Sequence, residues 1–160
     1  MRYLFTLIFT ITALCAETKH LIAPDGTTVI IDRDEYGVPH IKADNEPALF
    51  FGQGFAEAND RLYQIDLNRR AGTGRLSEWF GSLALDFDKD IRKNGYTKAE
   101  INSMIGNLSE EVQIAFSGYV SGVNAYADTM NLYPDIYKPT QYASVDFDPF
   151  TIQDLGAFVV

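Results

Sequence analysis

The sequence predicts an α+β fold that is mostly helical, with a β-hairpin near its start. Between positions 27 and 43, two short runs flank a glycine-containing turn, and the first run is rich in β-branched residues. An apolar repeat at helical spacing follows from Phe51 to Ile65, and a second one runs from Val112 to Met130. At 160 residues the chain has the length of one ordinary domain.

The hairpin is predicted from two strands and the turn between them. Thr27 to Arg33 (TTVIIDR) favours the first strand, and Val38 to Ala43 (VPHIKA) the second. Asp34 to Gly37 forms the turn, where Gly37 can adopt a positive φ. Because Pro39 donates no backbone hydrogen bond, it is expected at an edge or a strand start. The apolar face of this pair is small, so further strands are expected to pair with it.

The next segment has the features of a long two-faced helix. Asn45 or Asp44 can cap it, and Pro47 falls in its first turn. The apolar stripe consists of Phe51, Phe55, Ala58, Leu62 and Ile65, and the polar side of Gln53, Glu57, Asp60, Gln64 and Asn68. Two favourable (i, i+4) ion pairs are expected, one between Glu57 and Arg61 and the other between Asp66 and Arg70. Arg69 and Arg70 suit the helix end, which Gly72 and Gly74 terminate.

Further helices are predicted downstream. Short ones are expected over Leu76 to Phe80 and Asp86 to Lys93, and a capping box of Thr97 and Glu100 opens the next. Ser109 is expected to cap the helix that carries the second apolar repeat, in which Gly118 and Gly122 allow close backbone approach. Asn131 to Pro149 is predicted to be a loop. Thr151 to Val160 (TIQDLGAFVV) begins a new element, so the natural polypeptide is expected to continue.

The first 16 residues have the layout of a secretory signal peptide. Arg2 is followed by an apolar run from Tyr3 to Leu14 and by small residues at Ala13 and Ala16. The mature part would then be residues 17–160, located in the periplasm or secreted. Cys15 either leaves with the leader or carries a lipid anchor. As the only cysteine it cannot form an internal disulfide, which fits a bacterial periplasm.

The formal net charge of −9 argues against two classes of partner. Nucleic acids and anionic membrane surfaces both attract clustered cations, and this chain has an excess of carboxylates. We therefore expect neither nucleic acid nor membrane binding.

Several patterns are candidate sites. His40 is a candidate for catalysis, but a histidine bonded to neighbouring backbone is the favoured interpretation, and His20 is expected in a flexible segment. Asp86, Asp88 and Asp90 alternate like calcium ligands, but the required glycine and glutamate are missing, so solvated carboxylates at a helix start are expected. Other weak candidates are Glu57 with Asp60 as an acid–base pair and Gly72-Thr73-Gly74 as a phosphate cradle; the latter is better explained as a helix terminator.

The segment from Arg33 to Gly81 resembles the start of the penicillin acylase family. The resemblance is carried by DEYGVPHI (Asp34 to Ile41), Gly54, ANDRL (Ala58 to Leu62), NRR (Asn68 to Arg70) and GRLSE (Gly74 to Glu78). It is weaker over FDKDIR (Phe87 to Arg92) and the helix around Gly118 to Ala125. The family includes penicillin, cephalosporin and acyl-homoserine-lactone acylases, and the combination of motifs is specific.

The resemblance implies the N-terminal part of a four-layer αββα sandwich of the N-terminal-nucleophile hydrolase type. Family members are exported precursors that cut themselves into an α chain and a larger β chain, whose N-terminal serine attacks an amide. This chain resembles the α-chain part. The nucleophile, the pocket residues and the glutamate that binds calcium are expected beyond Val160. No catalytic, cofactor-binding or metal residue is therefore assigned here; calcium is possible in the complete protein.

The expected partners are the β chain of the same precursor and a small-molecule amide substrate. We hypothesise that four arginines bond carboxylates or carbonyls of the β part: Arg61, Arg69, Arg70 and Arg75. The isolated chain is then expected to expose the apolar stripe of its long helix. The alternative is a free-standing exported module that binds a partner protein and has no catalytic activity.

Overall fold

The computed structural model describes residues 17–142 and 145–159 of the chain. The strands are β1 Thr18–Ile22, β2 Thr28–Arg33 and β3 Pro39–Lys42. The helices are α1 Glu46–Gly72, α2 Ser77–Phe80, α3 Leu85–Asn94, α4 Lys98–Gly106, α5 Glu110–Leu132, α6 Pro134–Tyr137 and α7 Ile152–Val159, with 3₁₀ turns at Gly81–Ala84 and Thr140–Tyr142. The predicted signal peptide, with Cys15, lies outside the described residues.

The strands form one antiparallel sheet in the order β1-β2-β3. The predicted hairpin is confirmed: Gly37 has a φ of +79°, and Pro39 pairs with Arg33 at the start of β3. The extra strand that the hairpin needs is β1. The expectation that His20 lies in a flexible segment is wrong, because it pairs with Ile30 inside β1. Residues in β1 alternate in exposure, so Leu21 packs against the core while His20 faces outward.

Helix α1 begins as predicted. The Asn45 side chain accepts a hydrogen bond from the Ala48 amide at 2.9 Å, and its own amide group donates to Asp25 and Thr27 of the β1–β2 turn. One residue thus caps the helix and ties it to the sheet. The backbone departs from helical geometry once, at Arg61, where φ is −143° and ψ is 26°.

The expected ion pair between Glu57 and Arg61 is not formed. The Glu57 carboxylate instead accepts hydrogen bonds from Gln53 at 3.0 Å and from the Tyr119 hydroxyl at 2.8 Å. The change of backbone direction at Arg61 removes the regular (i, i+4) geometry on which the prediction rested.

The core lies between α1 and α5, with β2 against one side. Phe51, Phe55, Ala58 and Leu62 of α1 are buried with Val123, Tyr126 and Met130 of α5. Glycines bring the two backbones together: a Cβ at Gly122 would overlap the carbonyl oxygen of Phe51, and one at Gly54 would overlap that of Tyr119. The predicted close approach is therefore confirmed. The expectation of an exposed apolar stripe is wrong, since α5 of the same chain covers it.

The segment after α5 is less irregular than predicted. Within the predicted loop, α5 extends to Leu132, and α6 and the turn Thr140–Tyr142 follow. Tyr142 and Phe150 are buried in the core. The new element predicted near the end is α7, which packs against α1 and α4. Among the described residues, none of the helices has both the length and the apolar character that crossing a membrane requires.

Candidate functional site

Asp66 is the centre of a buried charge cluster at the end of α1. Its side chain is 0% exposed, and those of Arg69 and Arg70 are 1% and 0% exposed. Arg69 Nε donates to Asp66 Oδ1 at 2.8 Å, and Arg70 Nε donates to Asp66 Oδ2 at 3.2 Å. Helical spacing of three and four residues puts both guanidinium groups on the carboxylate. One negative charge is therefore shared between two cations.

The remaining donors of these arginines reach a segment about 80 residues further along the chain. Arg69 Nη1 donates to the carbonyl oxygens of Asp148 at 2.8 Å and of Pro149 at 3.3 Å. Arg70 donates to the Asp146 carbonyl at 3.3 Å and to the Glu78 carboxylate. These bonds satisfy buried cations, and they hold the residues that lead into α7 against the end of α1.

Aromatic side chains enclose the cluster. The Trp79 ring stacks on Tyr63 with centroids 4.8 Å apart, and the Arg70 guanidinium lies 4.9 Å from the Trp79 ring centroid. Arg69 lies 4.9 Å from the Phe147 ring in the same way. The Tyr142 hydroxyl donates to Asp66 Oδ2 at 3.2 Å, and burial raises the pKa of this tyrosine. Tyr142 therefore stays a neutral donor to the shared carboxylate.

Arg75 extends the cluster to the surface. Its guanidinium donates to both carboxylate oxygens of Glu78, at 2.7 and 2.9 Å, and to Asp148. The hydrogen bonds from Arg75 lower the pKa of Glu78 and of Asp148, and Glu78 raises the pKa of Arg75. We call the set Asp66, Arg69, Arg70, Arg75, Glu78 and Asp148 the arginine cluster.

These contacts correct the hypothesis about the four arginines. Arg69, Arg70 and Arg75 bind carboxylates and carbonyls of this chain, so they are paired without a β part. The requirement that buried cations be paired was right, but the partners are within reach of α1 once the chain folds back. Arg61 differs from the other three, because within the described ranges its side chain makes no hydrogen bond and no ion pair.

Asp88 is also placed differently from the prediction. It was expected to be solvated, yet it is 3% exposed and accepts hydrogen bonds from the backbone amides of Leu76 at 2.8 Å and Ser77 at 2.7 Å. Burial acts against its charged form, but the hydrogen bonds from Ser77 and Leu76 outweigh burial and lower its pKa. Asp88 thus fixes the exit from α1, where Gly74 has a φ of +63°.

The pKa shifts predict an acid-labile contribution to stability. Glu78 and Asp148 have ordinary pKa values of 4.5 and 3.8, and both values are lowered in the folded chain. A lowered pKa stabilises the fold above the unfolded pKa, and the stabilisation is lost as the pH falls through the folded pKa. We expect the free energy of unfolding to decrease from about pH 5 downward. In urea titrations at each pH, Glu78→Gln should flatten this decrease; an unchanged slope would contradict the assignment.

The weaker candidates have structural partners. His40 Nε2 lies 3.1 Å from Asp34 Oδ2 on the exposed hairpin, so the expectation of a backbone partner is wrong. Asp60 binds Arg33 through two hydrogen bonds of 2.8 and 3.1 Å, and Glu57 is held by Tyr119. Gly72-Thr73-Gly74 ends α1, as predicted. Neither Glu57 nor Asp60 is therefore arranged as an acid–base pair.

No residue of the chain is assigned to a metal. In the part of the chain that the structure describes, there is no group of three or more His, Cys, Asp or Glu side chains able to hold an ion. Asp86, Asp88 and Asp90 do not converge, because Asp88 points to the Leu76 and Ser77 amides while Asp86 binds Lys89. What the described residues provide is a buried, hydrogen-bonded charge cluster.

A family model described as penicillin amidase matches residues 28–160. The chain therefore belongs to the penicillin amidase family, as the motifs of the sequence predicted. Its relatives are acylases, which places the chain in a family of hydrolases that act on amides.

The most similar relatives include penicillin G acylase of Escherichia coli, 39% identical over 129 residues, which cover 81% of this chain and 15% of the relative. Penicillin acylase 2 proenzyme of Pseudomonas sp. SE83 is 39% identical over 61% of this chain and 12% of its own length. Aculeacin-A acylase of Actinoplanes utahensis is 32% identical over 63% and 14%. The chain thus spans about one seventh of these proteins.

A solved structure confirms the fold. The thermostable penicillin G acylase of Alcaligenes faecalis superposes with a TM-score of 0.74 at 34% identity, over 81% of this chain and 68% of that chain. The α+β class, mostly helical with a small sheet near the start, is that of the N-terminal part of this N-terminal-nucleophile hydrolase.

Part of the arginine cluster is predictable from the sequence. The predicted helical pair of Asp66 and Arg70 is confirmed. One feature of the sequence indicates that Asp66 has a structural role. Arg69 and Arg70 follow it at the helical spacings of three and four residues, so both can bind the same carboxylate. Tyr142 and the carbonyls of Asp146 and Asp148 carried no signal that pointed to Asp66.

Proposed function

We propose that the chain is the α-chain part of an exported acylase that hydrolyses linear amide bonds of penicillins, cephalosporins or acyl-homoserine lactones. The observation that carries the proposal is the family match across residues 28–160, whose relatives include penicillin, aculeacin and acyl-homoserine-lactone acylases. The structural superposition on a penicillin G acylase supports the same part of the fold.

The reaction would use an N-terminal serine located beyond this chain. The serine hydroxyl oxygen adds to the amide carbonyl carbon, and the α-amino group of the same residue takes the hydroxyl proton. An α-amino group titrates near ~8, so it is partly unprotonated at neutral pH. The amine leaves with a proton, and water then hydrolyses the acyl ester. Hydrogen-bond donors stabilise the tetrahedral oxyanion.

The contribution of this chain would be to place the helix that α7 begins. The arginine cluster bonds the backbone of residues 146–149 to the end of α1, and Arg69 lies 3.9 Å from Asp154 in α7. The direction of α7 therefore depends on buried, directional bonds. In the family that the motifs resemble, residues that line the acyl pocket lie on this helix.

The remaining parts of the proposal concern processing and location. Residues 1–16 serve as a signal peptide, the mature protein is periplasmic or secreted, and a β chain cut from the same precursor is the partner. Relatives include a proenzyme, which fits a precursor. Calcium, which the resemblance makes possible in the complete protein, is not assigned to any residue here.

The test compares this chain with the longer precursor. The purified 160-residue chain and the product of the uninterrupted reading frame would each be incubated with penicillin G, a cephalosporin and an acyl-homoserine lactone, and released primary amine measured. We expect turnover only from the longer product, and N-terminal sequencing of its larger chain should begin with serine. Turnover by the 160-residue chain alone would contradict the proposal, as would a larger chain with another first residue.

One observation favours the alternative of a free-standing exported binding module. The apolar stripe of α1 is buried against α5, so the chain has a core of its own. A stop codon directly after Val160 in the intact gene, together with a cooperatively unfolding monomer, would support that alternative. A reading frame that continues into a serine-initiated β chain excludes it.

A further inference from the structure

One side of α1 is left uncovered by the rest of the chain. Gln53, Glu57, Asp60, Arg61, Gln64 and Asn68 are all exposed on it. Three of these residues, Asp60, Arg61 and Asn68, belong to the motifs ANDRL and NRR that carry the family resemblance. Other motif residues have partners in the chain: Asn59 accepts from Lys19, Asp60 binds Arg33, and Arg69 and Arg70 bind Asp66. Among the residues that the structure describes, Arg61 and Asn68 have no such partner, so contacts within this chain do not explain their place in the motifs.

The two carboxylates that line the same surface cleft as Arg61 bind other residues. Glu57 accepts from Gln53 and from Tyr119 of α5, and Asp60 is paired with Arg33 of β2. The backbone leaves helical geometry at Arg61 itself, which separates its side chain from the (i, i+4) position of Glu57. Counting only residues that the structure describes, the guanidinium has no hydrogen bond or ion pair, and neither do the amides of Gln64 and Asn68.

Other arginines of this chain show what such a group binds. Arg33 bonds the Gly37 carbonyl at 2.7 Å in addition to Asp60, and Arg69 bonds two carbonyls in addition to Asp66. Each binds a carboxylate and at least one backbone carbonyl. A guanidinium with five donors is suited to this combination, and Arg61 has all five available.

The charge around Arg61 limits the partner. Glu57 and Asp60 are negative, while Arg61 and Arg33 are positive, so the face has no net charge. It therefore suits oxygen acceptors of a polypeptide more than a strongly anionic ligand. From Arg61 to Asn68 the helix rises about 10 Å, the length of about three extended residues. The amides of Gln64 and Asn68 can donate to and accept from such a backbone.

We propose that Arg61, Gln64 and Asn68 form a docking face for an extended, acceptor-bearing segment of the larger part of the same precursor. The inference rests on the proposed function. The same polypeptide is the chosen occupant because the matched region covers only 15% of the Escherichia coli relative, so most of a protein of that length lies outside this chain. A segment of the same precursor is covalently linked to this chain before processing, so it can bind without a bimolecular association step.

The experiment uses the full precursor, processed into its two chains. Arg61→Gln removes the cation, Arg61→Lys keeps the charge without the fork, and Asn68→Asp replaces a donor by an acceptor. Lys93→Gln, an exposed cation on α3, is the matched control. The rate at which the two chains separate in a fixed urea concentration is followed by size exclusion, and amide hydrolysis is measured per intact two-chain enzyme.

We expect Arg61→Gln and Asn68→Asp to separate roughly tenfold faster than wild type, with Arg61→Lys between them and Lys93→Gln unchanged. Hydrolysis per intact enzyme should be the same in all five proteins. If the two chains of Arg61→Gln and of Asn68→Asp both separate at the rate of the Lys93→Gln control, the docking face is overturned but the proposed function is not. If Arg61→Gln prevents maturation, Asn68→Asp decides. A wild-type precursor that never yields two associated chains overturns the proposed function as well.

Discussion

Replacing Asp66 with asparagine is expected to lower the free energy of unfolding by about 3–5 kcal/mol, the range seen when one partner of a buried ion pair is removed. The substitution conserves shape but leaves the buried guanidinium groups of Arg69 and Arg70 without their shared negative charge. It also replaces an acceptor of the Tyr142 hydroxyl. Urea titration of the chain can be followed by the fluorescence of Trp79, the single tryptophan, which stacks beside the cluster.

Asp128→Asn is the matched control for this measurement. Asp128 is exposed on α5, so its substitution should change the free energy of unfolding by less than about 0.5 kcal/mol. In the full precursor, Asp66→Asn should impair maturation more than the turnover of enzyme that has already matured. A loss of stability no larger than that of the control would show that Asp66 does not hold the two arginines.

Replacing Gly122 with valine is expected to lower the free energy of unfolding by roughly 3 kcal/mol, the upper part of the range for overpacked cores. A Cβ at this position would overlap the Phe51 carbonyl oxygen and lie 2.7 Å from the Phe55 amide nitrogen. These are backbone atoms inside α1, so they cannot move aside as a flexible side chain would. The two helices must separate, which loses contacts along the whole core.

Gly106→Val is the control for the glycine substitution. Gly106 is the last residue of α4, and a Cβ there would have no heavy atom within 4 Å. The same urea titration should give a change of less than about 0.5 kcal/mol for this variant. Equal effects at Gly106 and Gly122 would mean that loss of glycine flexibility, and not the α1–α5 contact, determines the result.

Local chemistry made much of the fold predictable. The hairpin turn, the Asn45 cap of α1 and the capping box of α4 depend on neighbours in sequence, and all are confirmed. The close packing of α1 on α5 was predictable from glycines at helical spacing. Strand β1 was missed because it is short, begins with three polar residues, and is defined by its pairing with β2.

The partners of the arginine cluster were less predictable for a physical reason. Arg69 and Arg70 bind backbone carbonyls, and every residue has such a carbonyl, so no residue type marks Asp146 or Asp148 as the partner. Asp88 illustrates the same limit: its carboxylate looks like a solvated helix-start residue until the exit from α1 places two amides beside it. In both cases, contacts between segments that are separated in sequence determine which groups the charged side chain binds.

The bonds from Arg69 to Asp148 and Pro149 join residues 79 and 80 positions apart. A loop of that length has a substantial closure entropy, so these bonds become favourable only after α1 and α5 have already come together. We therefore expect the start of α7 to be among the last parts of the chain to acquire its orientation. Whatever polypeptide follows α7 emerges from a surface whose geometry depends on the rest of the domain having folded first.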